Sequence, residues 1–119
     1  MKSLNKQTGG IGEAIAVNFL KNKGYKIVET NFFSRTGEID IIALDRNILV
    51  FVEVKMRTSD QFGLPQEAIT KYKLIHMKRT ALSYLKLKGL LDRVDIRFDC
   101  VAILGTKQDH KIDHIEGIT

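Results

Sequence analysis

Three residues of complementary chemistry lie in the middle of the chain: Asp40, Glu53 and Lys55. Mg²⁺ takes oxygen ligands, usually one or two carboxylates together with waters and substrate phosphates. Asp40 and Glu53 would supply the carboxylates, and the backbone carbonyl of Val54 would add a third oxygen. Lys55 would orient or deprotonate an attacking water, or stabilise charge on a phosphorane. The pattern therefore predicts a metal site that acts on phosphate esters.

A β-hairpin is predicted to position these residues. Two apolar runs rich in Ile and Val flank a polar turn, which is a hairpin signal. With Arg46-Asn47 as a two-residue turn, Asp45 faces Ile48, and counting back places Asp40 opposite Glu53. Directly opposed residues have Cβ atoms roughly 5 Å apart, so two carboxylates there would repel. A nearby lysine or a divalent cation is expected to compensate.

Side chains alternate between the two faces of a strand, so the same hairpin predicts which residues share a face. The expected apolar face consists of Ile39, Ile41, Val52 and Val54. The opposite face would then carry Asp40, Glu53 and Lys55. A purely structural alternative stays open, in which Asp40 pairs with Lys55 and Glu53 pairs with Arg57.

A third acid lies in a predicted amphipathic helix over residues 11–23, which Gly24 would cap. Glu13 falls in the first turn of that helix. It would join the metal site if the start of the helix docks beside the sheet. The alternative is a favourable charge at the positive end of the helix dipole.

The length and composition of the chain indicate what kind of protein carries these residues. A chain of 119 residues predicts a single domain, 1–119, with a loose N-terminal segment over residues 1–8. The net charge of +5 suits a polyanionic partner. Cys100 is the only cysteine and is expected to be an inert core residue. Without a signal core or a long apolar run, we expect a cytoplasmic protein with no membrane contact.

The remaining segments predict an α/β fold with a mixed sheet flanked by helices. Strands are predicted over residues 25–33, 94–104 and 111–118, and a basic helix over residues 65–88 starts at Pro65. That helix allows a crossover between parallel strands. Its predicted buried stripe consists of Ala68, Ile69, Tyr72, Ile75, Leu82 and Leu85. His110 and His114 are interpreted as surface residues.

Two motifs, Gly37-Glu38-Ile39-Asp40 and Phe51-Val52-Glu53-Val54-Lys55, resemble the PD-(D/E)XK nuclease superfamily, also called restriction-endonuclease-like. More closely, the chain resembles the YraN-like family, bacterial proteins similar to archaeal Holliday junction resolvases. Further matching segments lie along most of the chain: Gly12-Glu13-Ala14, Phe62-Gly63, Glu67-Ala68, Lys73, residues 97–102 and residues 112–115. Two departures are Ile39, where the superfamily name has proline, and Leu74, where relatives often carry glutamine.

The resemblance implies a restriction-endonuclease-like αβββαβ core and a nuclease site that uses Mg²⁺, with Mn²⁺ as a substitute. It makes Asp40 and Glu53 metal ligands, Lys55 the catalytic lysine and Glu13 an accessory acid. Phosphate contacts are expected from Arg35, Arg57, Lys71 and Lys73. Glu38 and Glu67 are expected to support the ligands.

Two functions follow from these expectations. The first is a metal-dependent endonuclease that hydrolyses DNA phosphodiester bonds, with selectivity for branched or damaged DNA. The alternative is a nucleic-acid-binding module that keeps the nuclease fold with little or no catalysis. DNA is favoured over RNA as the partner, and a homodimer would provide two sites for two cuts.

Overall fold

Five strands form one mixed sheet in the order β1-β2-β3-β4-β5, and a helix covers each face. The computed structural model describes residues 2–118, with side chains described for residues 10–118. The predicted loose segment, residues 1–8, lies outside the residues with described side chains. The elements in chain order are α1 (Lys2–Asn22), β1 (Lys26–Ser34), β2 (Gly37–Asp45), β3 (Ile48–Arg57), α2 (Lys71–Leu87), β4 (Asp95–Gly105) and β5 (His110–Ile115). This order confirms the predicted αβββαβ core with its mixed sheet.

The sheet pairs its strands antiparallel except at its centre. β3 and β4 run parallel, and the connection between them contains α2. A parallel pair needs such a crossover, because a tight turn can only join antiparallel strands. The crossover places α2 on one face of the sheet, above Phe51 and Phe98. Within residues 2–118, no helix is long and apolar enough to cross a membrane.

Helix α1 covers the other face and ends where the sequence predicts. Gly24 has a φ of +95°, a conformation that glycine adopts without a steric penalty. The Tyr25 N–H then donates to the Leu20 carbonyl at 2.9 Å, and the Gly24 N–H donates to Lys21. These two bonds form the Schellman motif that commonly ends helices. Leu20 and Tyr25 both pack into the core beneath α1.

The second helix begins later than predicted. Pro65 starts a short 3₁₀ helix, Pro65–Ala68, and α2 begins at Lys71. Thr70 caps α2, because its side chain accepts the Lys73 N–H. The break changes which residues face the sheet, so the predicted stripe is largely wrong. Tyr72, Ile75 and Leu82 are exposed, and the buried residues of α2 are Met77, Thr80, Ala81, Tyr84 and Leu85.

A buried ionic network fixes the C-terminal strand beneath α1. Asp99 is fully buried and accepts two hydrogen bonds from Arg97, at 2.8 and 2.9 Å. It also accepts from His114 Nε2 at 2.8 Å and from the Gly117 N–H at 3.1 Å. Burial alone would raise the pKa of Asp99, but these donors outweigh it and lower the pKa to about 2. The prediction that His114 is a surface residue is wrong, since only 3% of its side chain is exposed.

We expect Asp99→Asn to lower the free energy of unfolding by about 3–5 kcal/mol, because it removes the fully buried carboxylate and leaves the Arg97 guanidinium with only the more exposed Asp45 and Glu116 carboxylates. Urea denaturation would measure the change. Asp95→Asn, an exposed change on the same strand, should shift stability by less than about 0.5 kcal/mol. Equal unfolding midpoints for the two variants would contradict the role given to Asp99.

The same network predicts a pH dependence of stability. The folded pKa of Asp99, about 2, lies below the ordinary value of 3.8. Its contribution to stability is therefore complete above about pH 4 and is lost as the pH falls towards 2. Acid titration of the unfolding midpoint should show this loss in the wild type and a shallower slope over that window in Asp99→Asn.

Candidate metal centre

The hairpin of β2 and β3 has the predicted register up to the site. Asp45 pairs with Ile48 across the Arg46-Asn47 turn, and pairing continues to Ile41 and Val52. There the ladder stops, one pair before the predicted pair of Asp40 and Glu53. The Val54 N–H instead donates to the Asp40 carboxylate at 2.8 Å. The Asp40 side chain therefore points along the sheet towards β3.

Strand alternation breaks at the same point. Ile41 packs in the core under α1, whereas Ile39 packs in the core under α2. The prediction that the two isoleucines share a face is wrong, because alternation requires a regular ladder and Asp40 interrupts it. In the neighbouring strand, the residue that would face Asp40 is Asn31, which has a φ of +54°. Both strands are thus irregular at the level of Asp40.

Three carboxylates meet at this irregularity. Oxygen atoms of Glu13, Glu38 and Asp40 all lie within 4.8 Å of one another. Glu13 can reach the strands because Gly12 lets α1 approach β3 closely. A Cβ at Gly12 would lie 3.4 Å from the Met56 Cβ, so a larger side chain would push the helix away. Carboxylate oxygens at this spacing fit the ligand set that hard divalent cations prefer.

Glu53 lies on the α2 side of the same site and is held by two lysines. Its Oε2 is 3.1 Å from the Lys55 Nζ and 3.2 Å from the Lys73 Nζ. The alternative prediction that Glu53 forms an ion pair with Arg57 is therefore wrong. Arg57 instead donates to the Phe62 carbonyl at 3.1 Å. Lys73, expected on a phosphate-binding surface, instead lies in the site itself.

The electrostatics of the site show an excess of negative charge. Burial raises the pKa of Asp40 to about 8, and the Glu53 carboxylate adds to that increase while the Val54 N–H opposes it. Burial also raises the pKa of Glu13, against a hydrogen bond from Asn31. Within residues 10–118, the ammonium groups in contact with these four carboxylates are those of Lys55 and Lys73, so full ionisation of the described groups leaves a net charge of −2. One divalent cation would balance it.

A cleft of about 500 Å³ opens beside these residues, between the sheet and α2. Asp40, Glu53 and Lys55 line one wall, and Tyr72 and His76 of α2 line another. Since the cleft contains both the carboxylates and the two lysines, an anionic ligand in it would meet positive charge beside the candidate cation site.

Hydrogen bonds tie the β1–β2 turn to α2 at the edge of the cleft. His76 Nδ1 lies 3.1 Å from the Thr36 carbonyl, and the Thr36 hydroxyl lies 2.8 Å from that of Thr80. Thr80 is fully buried and donates to the His76 carbonyl at 2.8 Å. Sequence reasoning missed His76, Thr36 and Thr80. No local sequence pattern identifies these contacts, because His76 is 40 residues from Thr36 and Thr80 is 44 residues from it.

The other predicted residues take several positions. Arg35 is exposed in the turn tied to α2, and Lys71 is exposed at the start of α2. Glu67 accepts the Leu64 N–H and so stabilises the 3₁₀ helix, away from the carboxylate cluster. Burial raises the pKa of Cys100 to about 12, as expected for an inert thiol.

The fold and the carboxylate cluster define an α/β protein with a candidate metal site. Residues 12–103 match the model of "Uncharacterised protein family UPF0102", and the chain belongs to this family. It is 43% identical over 114 residues to a UPF0102 protein of Alkaliphilus oremlandii, covering 95% of this chain and 97% of the relative. It is 48% identical over 117 residues to one of Geotalea daltonii, covering 98% and 90%. The YraN-like resemblance is thereby confirmed, and membership of the nuclease superfamily stays a prediction.

Asp40→Asn should stabilise the metal-free protein at pH 8 by at least about 2 kcal/mol, since one pKa unit corresponds to about 1.4 kcal/mol. The pKa of Asp40 is raised from 3.8 to about 8, so the wild type loses stability as the pH rises across that window. The amide keeps an oxygen for the Val54 N–H but carries no charge. Thermal unfolding in EDTA between pH 4 and 8 would measure the difference.

The exposed Asp60→Asn is the control for that change and should leave the pH dependence as in the wild type. Added Mg²⁺ or Mn²⁺ should raise the unfolding temperature of the wild type, because a ligand that binds the folded state stabilises it. Asp40→Asn should show no such increase. An equal metal response in both proteins would contradict a site at Asp40.

Thr80→Val should cost about 1–3 kcal/mol, because it removes a buried hydroxyl that Thr36 also uses. Chemical denaturation would measure the loss. Ser83 makes the same type of bond one turn along the helix, to the Arg79 carbonyl at 3.2 Å, but in an exposed position. Ser83→Ala should therefore change stability by less than about 0.5 kcal/mol. Equal losses of stability in Thr80→Val and Ser83→Ala would mean that the hydrogen bond between Thr80 and Thr36 does not stabilise the fold.

Proposed function

We propose that this protein is a Mg²⁺-dependent endonuclease of the PD-(D/E)XK superfamily that hydrolyses DNA phosphodiester bonds, with branched or damaged DNA as its preferred substrate. The observation that carries the proposal is the cluster of four carboxylates, of which Glu53 is buried and Glu38 is exposed, beside two lysines that line the cleft. Structural networks of acids normally contain enough positive charge to satisfy them. In this cluster, full ionisation of the four carboxylates would leave two negative charges that Lys55 and Lys73 do not balance.

The donor set fits a hard divalent cation. Glu13, Glu38 and Asp40 supply oxygens at ligand spacing, and Glu53 lies beside Asp40. When bound, the cation would supply positive charge to the scissile phosphate and activate water for attack. Mn²⁺ would substitute, because it accepts the same oxygen ligands.

Lys55 and Lys73 have separate tasks in this proposal. Both contact one oxygen of Glu53, which keeps that carboxylate fixed. Lys55 extends from the end of β3 into the cleft, where its ammonium group can orient the attacking water and stabilise developing charge on the phosphorus oxygens. Lys73 reaches from α2 to the same Glu53 oxygen. Carbohydrate substrates would need an aromatic-lined groove, and the chain has no tryptophan.

Arg35 and Lys71 would guide the nucleic acid backbone to the cleft. Both are exposed, and both belong to segments that border it, the β1–β2 turn and the start of α2. The net charge of +5 adds a general attraction for polyanions. A homodimer would bring two such sites to one branched substrate.

Asp40→Ala and Glu53→Ala should each abolish cleavage, and Lys55→Met should reduce it by about 100-fold or more, because each removes a group that acts on the reacting phosphate. The measurement is cleavage of junction, flap, single-stranded and duplex DNA with Mg²⁺ or Mn²⁺. Lys78→Met removes an exposed lysine of α2 outside the cleft lining and should keep full activity.

Two outcomes would count against the endonuclease. One is purified wild type that cleaves none of the four substrates with either metal. The other is equal cleavage by wild type and Asp40→Ala, which would assign the activity to a contaminant. In either case, DNA binding that falls steeply with salt and persists in Glu53→Gln would support a binding module instead.

A further inference from the structure

Tyr72 differs from the other tyrosines of the chain in being exposed. Tyr25 and Tyr84 are 7% and 2% exposed and pack in the two cores, whereas Tyr72 is 72% exposed. It lies in the first turn of α2 and lines the cleft that contains Asp40 and Lys55. An aromatic ring in this position buries little surface within the fold, so its contribution to stability is small.

The Tyr72 ring contacts a second ring that is held in place. Its centroid is 4.4 Å from that of His76, one helical turn further on, and the two ring planes are tilted by 58°, so the rings are in contact without being stacked on each other. His76 is fixed in turn by the Thr36 carbonyl, and Thr36 is fixed by the buried Thr80. A ring pair held in this way loses little conformational freedom when a ligand stacks on it, and preorganisation of this kind favours binding.

The surroundings of the ring pair suit a nucleotide. Lys73 follows Tyr72 directly and reaches the site carboxylates, while Lys71 precedes it and is exposed. Arg35 lies in the turn that His76 binds. Aromatic rings interleaved with basic groups are the usual means of holding unpaired bases and their phosphates. A cleft of about 500 Å³ is of the size that encloses one small organic molecule, and a duplex is far larger.

We propose that Tyr72 and His76 form a stacking site for one unpaired base of the nucleic acid whose backbone enters the cleft. A base inside a duplex has both faces covered by its neighbours, so a base must be unpaired or flipped to stack on Tyr72. The site would thus favour single strands, flaps and branch points over continuous duplex. This inference rests on the proposed function for the identity of the ligand, but it concerns binding and does not require cleavage.

The test uses the Asp40→Asn protein, so that no oligonucleotide is cut, and DNA carrying a single 2-aminopurine, whose fluorescence falls on stacking. A single strand and a blunt duplex are titrated with Asp40→Asn alone and combined with Tyr72→Ala, Tyr72→Phe or Leu87→Ala. Leu87 is 69% exposed at the far end of α2 and controls for loss of an exposed apolar side chain. Unfolding midpoints establish that each variant is folded.

Tyr72→Ala should weaken single-strand binding by about 5- to 100-fold and remove the quenching, because one base–aromatic stack is lost. Affinity for the duplex should change by less than about twofold. Tyr72→Phe should retain binding and quenching, and Leu87→Ala should match the parent protein. Equal weakening for both DNAs, or no change for either, would overturn the stacking site. So would Tyr72→Ala altering only self-association in light scattering, which would assign the ring to a contact between copies.

Failure of this inference is distinguishable from failure of the proposed function. If wild type cleaves DNA in a metal- and Asp40-dependent way while Tyr72→Ala binds single strands normally, the stacking site is wrong and the nuclease stands. If Tyr72-dependent quenching occurs but no substrate is cleaved, the stacking site stands without the nuclease. Absence of any DNA binding would overturn the stacking site directly.

Discussion

The candidate site depends on the hydrogen bond from the Val54 N–H to the Asp40 carboxylate. A side chain in a regular strand points to one face of the sheet or the other. Asp40 points along the sheet, because its carboxylate takes a backbone donor of the neighbouring strand. From there it lies beside Glu13 and Glu38 and also beside Glu53 on the α2 side. The interruption of the β2–β3 ladder at Asp40 thus brings acids from α1, β2 and β3 into a single cluster.

That arrangement is costly for the fold, and the surrounding structure offsets only part of the cost. Lys55 and Lys73 neutralise Glu53 from two elements, and Gly12 allows the approach of α1 that brings Glu13. The raised pKa of Asp40 shows that the remaining repulsion and burial are not compensated within the protein. Buried or clustered carboxylates without compensating positive charge concentrate at functional sites, where selection on chemistry outweighs selection on stability.

Local features of the sequence were sufficient to predict the strands, the order of elements and the register of the hairpin. The two-residue turn at Arg46-Asn47 fixes that register, and Gly24 fixes the end of α1, because both signals act within a few residues. The start of α2 was missed, since Pro65 and Thr70 both offer a helix start and the second one begins the α-helix. The α-helix therefore begins six residues after the predicted start, and Tyr72, which was predicted in the core, is exposed.

The parts of the site that could not be predicted depend on contacts between distant residues. Lys73 and Glu53 are 20 residues apart, and no spacing rule connects a helix lysine with a strand glutamate. The opposite faces of Ile39 and Ile41 follow from the bond to Asp40, which a regular alternation cannot include. His114 is buried by contacts with distant residues: it donates to Asp99, 15 residues earlier, and packs against the rings of Phe19 and Tyr25.

Asp99, which is fully buried, and Asp40, which is half-buried, show how environment separates a carboxylate that the fold satisfies from one that it does not. Asp99 accepts four hydrogen bonds, two of them from a guanidinium, and its pKa falls to about 2. Asp40 accepts the Val54 N–H and lies near the acids Glu13 and Glu53 as well as Lys73, and its pKa rises to about 8. A carboxylate that serves the fold has its charge satisfied by the protein. Asp40 lacks that satisfaction beside an open cleft, where the three clustered acids could hold a cation that would supply the missing charge.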